Sequence, residues 1–67
     1  MYLKVDVSYL EVRKDPKKSS RIFLSSGSVV EPIGEAKKSR NQFWIPIMTL
    51  NEPKISGYVQ KKYLSEL

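Results

Sequence analysis

The run FWIPIMTL, Phe43 to Leu50, is the strongest strand signal in the chain. A strand period of two sorts it into faces, with Ile45 and Ile47 on one side and Trp44 and Pro46 on the other. Ile45 and Ile47 make the better core pair, which sets Trp44 outward. Pro46 cannot donate to a sheet ladder, so the run is expected to meet an edge or a bulge.

The same period extends in both directions. Leu3, Val5 and Val7 alternate with Lys4 and Asp6, and Leu10 and Val12 alternate with Glu11 and Arg13. Ile22 to Leu24, Val29 to Ile33 and Tyr58 to Gln60 read as further short strands, the second demoted at its far end by Pro32. Polar stretches separate them: KDPKKSS with its turn-initiating Asp15-Pro16, SSGS, GEAKKSRNQ and NEPKISG. Gly27 stands where a reversal calls for positive φ. KKYLSEL has room for one helical turn after the last strand. No stretch carries apolar residues at helical spacing over three turns. Five or six short strands at roughly ten-residue spacing predict a small all-β barrel or sandwich. Closing the sheet on itself buries one apolar face and leaves few edges.

Composition narrows the function classes. Sixty-seven residues make one domain, residues 1–67. Such a chain buries only about 60% of its unfolded surface. With no Cys and no His there is no disulfide, no usual zinc set and no histidine base. Serines and lysines are plentiful, but no spacing singles out a catalytic pair, and a barrel this small rarely encloses a pocket of about 300 Å³ or more. Gly27 and Gly34 are isolated, without the lysine-serine of a phosphate loop. The seven acids are scattered singly, so no metal and no cofactor are expected. No window approaches the ~18 continuous apolar residues of a membrane span, so membrane insertion is not expected. MYLKVDV carries Lys4 and Asp6 inside its apolar stretch and lacks the core of a signal peptide. With Met1 as the native start the product is expected in the cytoplasm; as part of a larger chain that expectation lapses.

The segments YLEVRKDPKKSSRIF, LSSGSVV, FWIPI and SGYVQKKYL, in that order, resemble the bacterial SH3 domain family over about residues 8 to 64. GYVQKKYL is the most specific part and LEVR with its loop proline comes next. Asp15 stands where the family usually has glycine, Ser25-Ser26 replace common lysines, and the stretch from Trp44 to Gly57 is longer than usual. The resemblance implies a small SH3-like barrel of five strands, strongly bent, with a short 3₁₀ turn near the C-terminus. It also implies a ligand groove bordered by Trp44, with Tyr63 in the 3₁₀ turn and Tyr9 at the other end. Gln60 stands where proline-recognising members carry proline, which argues against a proline-rich ligand. The alternative use of these rings is structural, with Trp44 capping the open end of the barrel and Tyr63 plugging it, since each large ring buries about 150–250 Å².

Charge is the remaining clue. The net charge is +5, and the bases cluster: Arg13, Lys14, Lys17, Lys18 and Arg21 in the first long loop, Lys37, Lys38 and Arg40 in the second, and Lys61 and Lys62 before Tyr63. In an SH3-like barrel the two loops flank one groove and form a basic rim. Lysines at loop tips also serve solubility and block edge pairing. The expectation is a non-catalytic binding module for a protein with an acidic segment or surface, an adaptor or an inhibitor. Two alternatives follow. One is a peptidoglycan-targeting module of the cell wall, on the family resemblance. The other is single-stranded nucleic-acid binding, from basic loops and exposed aromatics.

Overall fold

The computed structural model describes every residue from Met1 to Leu67. Eight short strands and one 3₁₀ turn follow one another: β1 (Leu3–Val5), β2 (Tyr9–Val12), β3 (Ile22–Ser25), β4 (Val29–Pro32), β5 (Lys37–Ser39), β6 (Gln42–Thr49), β7 (Ser56–Gln60), the turn Lys61–Tyr63, and β8 (Leu64–Glu66). The fold is all-β, a curled half-barrel sheet with its 3₁₀ turn near the C-terminus, compatible with a small SH3-like barrel. The larger sheet runs β5-β6-β4-β1-β8, with β7 also on β6, and β2 pairs with β3 in a second sheet. No helix is long and apolar enough to cross a membrane.

Two of the eight strands lie outside the five or six expected. β5 falls inside the polar stretch GEAKKSRNQ and pairs with the start of β6, Lys37 opposite Trp44 and Ser39 opposite Gln42. The reversal between them uses Arg40 and Asn41, both at positive φ (52° and 64°). Positive φ at both central residues is the geometry of a type I′ hairpin, whose twist matches that of its strands. β8 pairs with β1, Leu3 opposite Glu66, so both chain ends lie in the sheet.

Pro46 sits inside the longest strand without breaking it. On one side β6 pairs with β7 throughout, from Trp44 opposite Gln60 to Met48 opposite Ser56. On its other side the partner changes: β5 reaches only Trp44, and β4 begins at Ile47. The missing N–H of Pro46 falls in that gap, while its carbonyl accepts from the Ile33 N–H at 2.9 Å. This handover is the interruption its ring requires.

The core is one cluster: Leu3, Val5, Leu10, Val12, Leu24, Val30, Ile47 and Val59, with Val7, Ile45, Ile55, Tyr63 and Leu64 packed against it half-buried. Each fully buried Val or Ile contributes about 1.5–3 kcal/mol over an exposed one. The two sheets are stitched at one bridge, where Arg13 and Tyr58 exchange both backbone bonds, at 2.9 and 2.6 Å. Gly57 makes that approach feasible: a Cβ there, at φ +157°, would lie 2.7 Å from the Arg13 carbonyl oxygen and 2.8 Å from Val12 Cγ1. Gly27 takes φ +86°, the positive value expected of its reversal.

Candidate functional site

Trp44 lies on the face of β6 opposite Ile47, yet it does not point into solvent. It is only 5% exposed and stands outside the core cluster. The expectation of an outward groove tryptophan is therefore corrected. The cover comes from Arg13, whose guanidinium carbon is 4.6 Å from the ring centroid, a stacked cation–π contact. Arg13 is fixed in turn: Nε donates to Glu11 Oε1 at 2.8 Å, and Nη1 donates to the Pro16 carbonyl at 2.7 Å. Glu11 accepts from the Ser20 N–H at 2.7 Å, and the Ser20 hydroxyl donates to the Val12 carbonyl. The Ser20 N–H is the main reason the Glu11 carboxyl is held below its ordinary value; burial opposes the shift and Arg13 adds to it. The first basic loop is thus folded back as a lid on Trp44.

The other two groove candidates sit in different settings. Tyr9 is 78% exposed at the start of β2. Tyr63 is half-buried, packed against the core, with the Lys62 ammonium 5.0 Å from its ring centroid. None of the four surface clefts is lined by Tyr9, Trp44 or Tyr63.

The basic residues divide as well. Arg13 is half-buried and structural, while Lys14, Lys17, Lys18, Arg21, Lys37, Lys38, Arg40, Lys61 and Lys62 are exposed. The fold brings the two loops together at one place, a cleft of about 230 Å³ lined by Asp15, Pro16, Lys17, Lys37, Lys38 and Ser39. Lys14, Lys18, Arg21 and Arg40 do not line it. Lys61 and Lys62 meet the hairpin instead, in a cleft of about 340 Å³ with Asn41, Gln42 and Phe43.

Phe43 lines the second cleft and was given no role by the sequence. It is 56% exposed and directly opposite Lys38, whose ammonium is 6.0 Å from its ring centroid. Lys38 lines the first cleft and Phe43 the second. By the period of two Phe43 shares the face of Ile45 and Ile47, but it stands past the end of the core and is left uncovered. The signal was present in its position immediately after the polar turn SRNQ, where a strand begins before the core does.

No family model, no curated protein and no solved structure matches the chain.

Proposed function

We propose that the chain is a non-catalytic binding module that takes an acidic segment or surface of a protein partner on the β5–β6 hairpin. The observation that carries this reading is Phe43, an open aromatic ring that shares a cleft with Lys61 and Lys62 and has the Lys38 ammonium 6.0 Å from its centroid. An aromatic anchor ringed by cations is the composition of an interface hot spot. Charge complementarity around it steers an acidic partner and fixes its register. The resemblance to bacterial SH3 domains supports the same class of activity, although the groove it implies is bordered by Trp44 and not by Phe43.

Single-stranded nucleic acid is the second reading, because lysines around a ring also suit a stacked base and its phosphates. Tracking a strand calls for successive platforms, and this hairpin offers one ring, which favours the protein. Cell-wall targeting rests on the family resemblance alone. The test is a nuclear magnetic resonance titration of the labelled protein with a glutamate-rich peptide, a thymidine oligonucleotide and purified sacculi. The expected result is peptide-induced shifts centred on Lys38, Phe43 and Lys61, lost in Phe43→Ala with Lys61→Glu. Response to the oligonucleotide or sacculi without response to the peptide overturns the proposal.

A further inference from the structure

Apart from the seam between β2 and β7, the sheets end on three strands, β5, β8 and β3, and they are not alike. β5 carries Lys37 and Lys38, and β8 is a terminal strand ending in Glu66. Charges of this kind keep an edge from pairing with another chain. β3 reads Ile22-Phe23-Leu24-Ser25 and has neither a charge nor a proline. It pairs only with β2.

The direction of its backbone groups follows from the seam. Arg13 turns both its N–H and its carbonyl to Tyr58, away from β3. Because these groups alternate along an antiparallel strand, Val12 and Leu10 turn theirs to Ile22 and Leu24. Phe23 then presents its N–H and carbonyl to the free edge, and no turn or side-chain hydrogen bond occupies them. Its ring is 53% exposed on the same outer face as Tyr9, which is 78% exposed.

We propose that β3 pairs antiparallel with the β3 of a second copy about a two-fold axis at Phe23, giving a four-stranded sheet across the dimer. Each Phe23 N–H donates to the Phe23 carbonyl of the other copy, the doubly bonded pair of an antiparallel ladder. A strand that meets itself in this way is self-complementary, as a two-fold interface requires. The register also suits a second copy: Ile22 faces Leu24, Arg21 faces Ser25, Ser20 faces Ser26 and Lys18 faces Ser28. No base opposes a base along that line, so the +5 charge of each copy is kept off the contact. The edge is separate from the lysine-lined hairpin, and the proposal stands independently of the function proposed above.

Sedimentation of the whole chain from ~10 μM to ~1 mM, at low and raised salt, tests it. The expected result is a monomer–dimer equilibrium that strengthens with salt, as screening relieves repulsion between like-charged copies. Binding of an acidic partner through lysines has the opposite salt dependence. Phe23→Pro removes the outward N–H without removing a bond to β2, and Phe23→Lys places a charge on the edge. Each is expected to weaken dimerisation at least ~tenfold while Trp44 fluorescence stays native. Should Phe23→Pro fail to fold, Phe23→Lys and concentration-dependent protection of the Phe23 amide from exchange carry the test. A wild type that stays monomeric at ~1 mM in raised salt overturns the proposal. So does a dimer that Phe23→Lys leaves unchanged.

Discussion

Phe43 and Trp44 are neighbours on one strand, and they end in opposite environments. Phe43 has the parity of the core residues yet is 56% exposed; Trp44 has the outward parity yet is 5% exposed. Parity decides which face a side chain takes, and what lies over that face decides whether water reaches it. Over Trp44 lies the Arg13 guanidinium with its loop, and past Phe43 the core has run out.

Trp44→Ala breaks this comparison most severely. As a lidded core-like residue it should cost about 3–5 kcal/mol, against a total of ~3–10 kcal/mol for a chain of this length. Urea titration followed by circular dichroism should find it largely unfolded; a near-native midpoint would return Trp44 to the role of an open ligand residue. Gly57→Ala comes next. Its Cβ must displace the Arg13 carbonyl, 2.7 Å away, at a cost of about 1–3 kcal/mol. Crowding at that seam should also loosen the lid, and the check is a red shift of Trp44 emission together with the lower midpoint.

Arg13→Lys sharpens the contrast at a smaller magnitude. The ammonium keeps the charge but cannot reach Glu11, the Pro16 carbonyl and the Trp44 face together. A loss of about 1–2 kcal/mol with a red-shifted Trp44 is expected; unchanged emission would show that the lid does not depend on the guanidinium. Glu11 adds a pH dependence. Its folded-state value is depressed, so its contribution is present above the ordinary carboxylate value and is lost as pH falls through the folded one. Glu11→Gln should flatten that part of the acid limb in a stability-versus-pH series. Phe43→Ala should move stability least, within about 0.5 kcal/mol, while abolishing the shifts caused by an acidic peptide. A large loss of stability there would make Phe43 a core residue after all.

Most of the fold was legible because most of its strands show their faces by alternation. Leu3 with Val5, Leu10 with Val12, and Val30, Ile47 and Val59 all lie in the core cluster. β5 was hidden because Lys37-Lys38-Ser39 has no apolar face to show, and its turn, Arg40-Asn41, lacks the glycine that usually announces positive φ. β8 was hidden by a neighbour, since the expected helical turn at Lys61–Tyr63 lies against it and only three residues remain to pair with β1. The basic loops were legible as clusters, but their fates were not. Arg13 and Lys14 are adjacent in sequence, and only the packing of Trp44 separates a structural base from a free one.

The pairing of β1 with β8 carries a consequence for how the chain tolerates being rewired. Leu3 faces Glu66, and the Leu67 N–H donates to the Tyr2 carbonyl at 3.2 Å. Entry and exit are therefore side by side, and a short linker can join them without disturbing a strand. New ends opened in the exposed stretch at Asn51–Lys54 would leave every ladder intact, giving a circular permutant with the same sheets. By the same geometry the whole unit can be spliced into a surface loop of a host protein, because it asks of that loop only that two neighbouring points be held apart by about the width of one strand pair, ~5 Å.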